Sequence, residues 1–213
     1  MAVNMIAPLT LAKASEEVGA ALVQFSSDYV FDGAKRLPYT ERDCPNPISV
    51  YGISRLAGEK VVQQYCSKTL VVRTCGLYGR ASRHSNSGNF VETMLRLASS
   101  GKPLSVVDDQ VVTPTSSREL AERLIPLIRR QARGLFHMTN AGSCTWYEFA
   151  NEIFRLSRLR PQITPVSSEQ FGARARRPPF SVLDNAALRD AEHSDFNPWQ
   201  DALARYLSLR APE

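Results

Sequence analysis

Three short stretches carry side chains suited to acid–base chemistry on a bound ligand. Tyr51-Gly-Ile-Ser-Arg55 sets a phenol and a guanidinium four residues apart, a spacing that stacks them on one helix face, one turn from each other. A free tyrosine titrates near about pH 10, too high for proton transfer at neutrality. A cation one turn away favours the phenolate and moves the phenol toward useful general acid–base behaviour. Phe25-Ser-Ser-Asp-Tyr-Val-Phe-Asp-Gly33 places Ser26, Ser27 and Asp28 directly behind an apolar run, and Arg73-Thr-Cys-Gly-Leu-Tyr-Gly79 places Cys75 and Gly76 behind another. Taken singly, each has a plainer reading: a surface pair on a helix, a polar turn capping a strand, and glycines chosen for backbone freedom.

The elements around these residues argue that they converge. Met5, Leu9 and Ala12 recur at helical spacing before Gly19, a candidate stop signal. Ala20–Phe25 reads as a short buried strand. A helix from about Ser49 to Cys66 follows, with Ile53, Leu56, Ala57 and Val61 on one face, and Thr69–Arg73 is a second, β-branched strand. Helix, strand, helix, strand in alternation predicts an α/β fold with parallel strands joined by crossover helices. In such a sheet ligands bind beyond the carboxyl ends of the strands, where Ser27, Asp28, Cys75 and Gly76 fall. Farther on, a polar loop spans 83–89, a helix carries Phe90, Met94, Leu97 and Ala98 inward and stops at Gly101, and Leu104–Val107 is a strand. Ser116 with Glu119 and Thr145 with Glu148 form two capping-box signatures. The first helix is expected to reach Ile128 with a kink at Pro126; the second buries Phe149, Ile153 and Phe154. Leu135–Met138 reads as a strand, 161–179 as a long Arg/Pro loop, and Asn197-Pro198 as a cap with proline at the first helical position.

Composition narrows the class. The chain has 213 residues, 43% hydrophobic and 22% charged, the balance of an ordinary globular protein. No apolar run approaches the roughly 20 residues of a membrane helix, and the N-terminus lacks the basic-then-apolar pattern of a secretory signal; the expected address is cytoplasmic, with no membrane partner. Cys44, Cys66, Cys75 and Cys144 and the three histidines (His84, His137, His193) are scattered without metal-ligand spacing, so no metal site is expected and the thiols read as reduced. Net charge is +5. The basic clusters Arg129-Arg130 and Arg174, Arg176, Arg177 have no interleaved aromatics, so they read as solvated faces or a cleft attracting a pyrophosphate rather than as a nucleic-acid surface.

Together the motifs are far more specific than apart. Ser-Ser-Asp-Tyr-Val-Phe-Asp-Gly33, Pro38-Tyr-Thr-Glu41, Pro45-Asn-Pro47 and Tyr51-Gly-x-Ser-x-Leu-Ala-Gly-Glu59 closely resemble dTDP-4-dehydrorhamnose reductases, a branch of the extended short-chain dehydrogenase/reductases. Gly88–Val91, Val107–Gln110, Thr113–Thr115, Thr145–Phe149, Arg177-Pro178 and Ser181–Asp184 carry the resemblance along essentially the whole chain. It implies a Rossmann-like parallel sheet over 1–80 and a smaller α/β substrate-binding region over 81–213, with about 116–140 returning to the sheet. It implies reduction of the 4-keto group of dTDP-4-dehydro-6-deoxy-L-mannose to dTDP-L-rhamnose with NADPH or NADH. By position, Tyr51 would give a proton to the carbonyl oxygen and Ser27 would hydrogen-bond that oxygen. Asp28 and Gly76 would meet the sugar nucleotide, and Tyr51, Arg55 and Cys75 the nicotinamide side of the cofactor. A homodimer is left open.

Three positions depart from that pattern. Arg55 stands where the family has lysine; it keeps the charge but is bulkier, planar and no proton-relay amine. Gly76 replaces a tryptophan that many relatives hold against the sugar nucleotide. No Gly-rich strand-to-helix turn of the kind that cradles a pyrophosphate occurs in the sequence. The resemblance thus implies a chain lacking the N-terminal strands of its relatives, with Leu22, Val23 and Phe25 uncovered. The departures keep two alternatives open: a non-catalytic binding or regulatory relative, and an epimerase or dehydratase acting on another nucleotide sugar.

Overall fold

A computed structural model describes residues 1–80, 88–173, 175–191 and 195–210. The expected polar loop lies outside these residues from Arg83 to Ser87, as do Arg174 and His193. The chain enters through a π-helical turn, Ala2–Ile6, that runs directly into α1 (Ala7–Glu17). Pro8 sits in the first turn of α1, where a missing N–H costs least. Gly19, at φ +69, turns the chain out of the helix in the left-handed conformation that glycine adopts without penalty. β1 (Leu22–Ser27) starts two residues later than the apolar run suggests, and a 3-10 turn over Asp28–Val30 follows at once.

α2 (Val50–Tyr65) is capped by Ser49, whose hydroxyl accepts from the Gly52 N–H at 3.1 Å. β2 (Thr69–Thr74) is buried along its whole length, the burial expected of a parallel strand covered on both faces. Beyond it come β3 (Leu77–Tyr78), α3 (Phe90–Ala98), β4 (Leu104–Val107), β5 (Val111–Val112), β6 (Thr115–Ser116), α4 (Ser117–Arg129) and β7 (Gly134–His137). β8 (Cys144–Thr145), α5 (Trp146–Leu156), β9 (Ile163–Val166), α6 (Ser168–Phe171), α7 (Ala186–Asp190) and α8 (Trp199–Ser208) complete the order.

The main sheet has the order β1-β2-β7, parallel throughout, with Ser26 opposite Arg73 and Arg73 opposite His137. On one face Ala12, Val62, Cys66 and Val71 join α1 and α2 to the sheet. On the other, Leu120, Leu124 and Leu127 of α4 cover Leu70, Val72 and Phe136. β1 pairs with β2 alone among the described residues. Phe25 is 41% exposed there and Leu22 and Val23 are partly exposed, matching the uncovered positions expected from the sequence. A second core gathers Tyr78 of β3 with Val91, Leu95, Phe149, Ile153, Trp199 and Leu203 from α3, α5 and α8.

Several local expectations change. The buried line of α2 runs through Gly52, Ser54, Gly58, Glu59 and Val62, while Ile53 is 45% exposed. The cause is the entering π turn: the Asn4 carbonyl presses against Gly58 and the Asn4 amide donates to Ser54 Oγ at 3.0 Å. Ser116 caps α4, but Glu119 does not return to it. Its carboxylate instead accepts from Asn140 Nδ2 (2.7 Å), Asn197 N (2.8 Å) and Asn197 Nδ2 (2.9 Å). α4 passes through Pro126 to Arg129, and Pro198 is the cap of α8 rather than its first helical residue. The Arg/Pro stretch contains β9, which pairs with β4 in parallel, and α6 with its own capping box at Ser167 and Gln170.

Candidate active site

The carboxyl end of β1 delivers Ser26 and Ser27, and the 3-10 turn follows because Ser27 Oγ accepts from the Tyr29 N–H at 3.2 Å. Ser27 Oγ also lies 2.8 Å from Asp28 Oδ1. The second oxygen of Asp28 accepts from the Cys75 thiol at 3.0 Å, and Ser181 Oγ stands 4.0 Å from that sulfur. Ser27, Asp28, Cys75 and Ser181 are all buried, Asp28 to 3% exposure. Burial pushes the Asp28 carboxyl up from its ordinary value and the Cys75 thiol well up from its own. The thiol that sequence reasoning set toward a cofactor therefore points at Asp28.

α2 presents Tyr51 above the same strand end. Arg55 Nε donates to Tyr51 Oη at 3.1 Å, and Arg55 Nη1 donates to the Phe25 carbonyl at 3.3 Å. The phenolic oxygen accepts from a cation, which leaves its own proton for another acceptor. Tyr51 is 43% exposed, open to a ligand. Tyr29 meets its ring edge-on at 5.8 Å and 87°, so Tyr29 ties Ser27 and Tyr51 into one cluster. Burial and the neighbouring Asp28 raise the Tyr29 phenol, and Arg177 acts against them. Gly52 is required here, because a Cβ would collide with the Tyr29 carbonyl.

One further turn along α2, Glu59 anchors the helix to the sheet. Arg73 binds its carboxylate with two hydrogen bonds, at 2.8 and 2.7 Å, and both side chains are at most 3% exposed. Arg73 Nη1 lies 3.4 Å from His137 Nε2, while His137 Nδ1 reaches the Tyr39 carbonyl at 3.0 Å. Nδ1 therefore carries the ring proton and Nε2 accepts. Burial and the Arg73 charge lower the His137 pKa to about 3, so the ring is neutral.

Among the described residues, Ser26 Oγ and Thr74 Oγ1, at the ends of β1 and β2, are buried without a partner, as hydroxyls awaiting a ligand would be. No three-glycine turn occurs in the chain. Gly76 sits at φ +53, and a Cβ there would meet Pro114 Cα at 3.2 Å and Trp146 Cη2 at 3.6 Å; its carbonyl accepts from the Thr115 N–H. Among the described residues, no cluster of three metal-ligating side chains exists and no helix is long and apolar enough to cross a membrane.

Sequence reasoning picked out Ser27, Asp28, Tyr51, Arg55, Cys75 and Gly76, and the structure gathers them at the ends of β1 and β2. It missed Tyr29, Ser181 and the Glu59–Arg73–His137 network. Tyr29 lies inside the quoted motif, so its position was in view. Ser181 is 106 residues from Cys75, beyond any local spacing rule.

Comparison with known proteins identifies the family. A family model described as the RmlD substrate binding domain matches residues 1–211. The chain is 38% identical over 209 residues to the spore coat polysaccharide biosynthesis protein SpsK of Bacillus subtilis, covering 98% of this chain and 71% of that protein. It is 34% identical over 217 residues to the dTDP-4-dehydrorhamnose reductase of Escherichia coli, covering 97% and 71%. The crystal structure of dTDP-4-dehydrorhamnose reductase from Bacillus anthracis in complex with NADP superposes with a TM-score of 0.92 at 40% identity, covering 96% of this chain and 71% of that one. The fold is thus that of a Rossmann-like reductase, and the chain belongs to the RmlD substrate-binding-domain family.

Proposed function

We propose that the chain reduces the 4-keto group of dTDP-4-dehydro-6-deoxy-L-mannose to dTDP-L-rhamnose, with NADPH or NADH as reductant. The observation that carries this reading is the exposed Tyr51 phenol, paired with Arg55 one turn on and joined to buried Ser27 through Tyr29. The dTDP-4-dehydrorhamnose reductases among its relatives, and the NADP held by the Bacillus anthracis protein, supply the substrate class and cofactor.

The cofactor's chemistry at this site is hydride delivery to the carbonyl carbon. Tyr51 donates its proton to the carbonyl oxygen, as its free O–H permits, and Arg55 faces the negative charge left on the phenolic oxygen. Ser27 hydrogen-bonds the same carbonyl oxygen. Arg55 and Tyr51 take the ribose side of the nicotinamide. Cys75 and Gly76 line the turn after β2, where backbone rather than side chain meets the ligand, and Asp28 stands behind Ser27. Residues 1–80 with about 116–140, whose α4 packs on the main sheet, form the cofactor side, and the rest of 81–213 the sugar-nucleotide side.

Incubating the purified chain with the keto-sugar nucleotide and each nicotinamide tests this: loss of the reduced cofactor's absorbance should accompany a product whose NMR couplings show rhamnose stereochemistry. A folded chain that oxidises neither cofactor would sink the proposal and favour the second reading, a non-catalytic relative, to which Arg55 in place of lysine points. The same reading puts the chain in the cytoplasm, and size-exclusion chromatography distinguishes a monomer from a homodimer.

A further inference from the structure

Ser27 has one proton to give, and Asp28 competes with a ligand for it. Its oxygen accepts from the Tyr29 N–H and stands 2.8 Å from Asp28 Oδ1. If Asp28 were a carboxylate, the serine proton would have to point at it, because an ionised carboxyl only accepts. Ser27 could then offer nothing to a ketone oxygen. If Asp28 carries a proton, the bond runs the other way and the serine hydroxyl is released toward the ligand. An O···O distance of this length fits both, so the surroundings decide.

Those surroundings favour the acid. Asp28 is 3% exposed and has no ion pair among the described residues. The groups that face it are the Ser27 hydroxyl, the Cys75 thiol from the end of β2, the Ser181 hydroxyl and its own backbone N–H. Tyr29 lies beside it, with Arg177 and Tyr51 acting on Tyr29 from beyond. None of the four facing groups is a cation, and a thiol is a weak donor. A buried carboxylate lacking a cation or several N–H donors is expensive relative to its neutral form, and the direction of the Asp28 shift agrees. Cys75, itself raised, keeps its proton and spends it on Oδ2. That leaves Oδ1 as the oxygen bearing the acid proton, on the side of Ser27.

We infer that Asp28 is a positioning residue that works as a carboxylic acid. It donates to Ser27 Oγ, is held at its other oxygen by Cys75, and turns the Ser27 hydroxyl outward as a donor to the carbonyl oxygen of the substrate. The direction of Ser27's hydrogen bond rests on the reductase reading; the proton on Asp28 does not.

Infrared difference spectroscopy on the whole chain at neutral pH tests the proton directly. A protonated-carboxyl C=O band should vanish in Asp28→Asn, move to higher frequency in Cys75→Ala as its hydrogen bond is lost, and stay near its place in Cys75→Ser. Stability gives a second readout. A carboxyl raised in the fold contributes stability below its unfolded value, near pH 4, and loses it as pH rises through the folded value. Wild type should therefore lose thermal stability relative to Asp28→Asn as pH rises from about 4 toward neutrality. In turnover, Asp28→Ala should lower kcat by about tenfold or more, the worth of one hydrogen bond. Asp28→Asn, whose amide can donate to Ser27 and accept from Cys75, should recover part of that loss. Absence of the band in wild type at neutral pH, or an Asp28→Asn no better than Asp28→Ala, would overturn the inference. A band present without any wild-type turnover would instead overturn the reductase reading and leave the proton on Asp28 established.

Discussion

At the scale of single residues the account depends on Tyr51 and Arg55. Tyr51→Phe removes the proton that is transferred to the carbonyl oxygen, so kcat should fall by about 10²- to 10⁴-fold, the usual share of general acid catalysis. A retained kcat in steady-state kinetics would refute that role. Arg55 already divides its guanidinium between Tyr51 Oη and the Phe25 carbonyl, a rigid planar arrangement that a compact ammonium on a flexible stem would not impose. Arg55→Lys is therefore expected to raise turnover, and an unchanged or lower rate would show that Arg55 is not standing in for lysine. Both residues were legible in the sequence because a four-residue spacing on a helix fixes their mutual geometry. The thiol of Cys75 was not, since its partner Asp28 lies 47 residues away and its burial depends on the packing of β1 against β2.

At the scale of elements the question is what aims α2. Tyr51, Arg55 and Glu59 lie on one line, and Glu59 is locked to Arg73 of β2 in a buried pair. Removing one partner of such a pair leaves an uncompensated charge, and Glu59→Ala should cost about 3–5 kcal/mol of unfolding free energy. Gly52→Ala should cost roughly 1–3 kcal/mol by overpacking against the Tyr29 carbonyl; chemical denaturation measures both. A loss below the error of measurement in either variant would show that α2 is held by other means. The existence of α2, β2, β4 and α5 followed from periodicity and caps, since those signals are local. The buried face of α2 did not, because a π turn with no strong pattern of its own selects it. β9 was hidden for a related reason: four residues pairing with β4 across two intervening helices, α4 and α5, carry no alternation that marks a strand.

At the scale of the whole molecule, the neutral His137 couples the fold to pH. Its pKa is lowered to about 3, so the unfolded chain takes up a proton below about pH 6.5 while the folded chain does not. Stability is therefore full above about pH 6.5 and is lost as pH falls toward about 3, on the order of 5 kcal/mol in all. Carboxylates held low by their partners, among them Asp43 and Asp195, lose their own contributions nearer pH 4. Thermal melts of His137→Asn against wild type between pH 4 and 7 isolate the histidine; parallel curves would contradict a neutral ring. The fold class was readable because helix and strand alternate along the chain, whereas the order in which the strands pair is a property of the assembled sheet. The most direct test of the central claim is isotopic. With nicotinamide cofactor deuterated at the transferable position, wild type should place deuterium at C4 of a product of L-rhamno configuration, and Tyr51→Phe should form almost none. Product without deuterium at C4, or undiminished transfer by Tyr51→Phe, would contradict it.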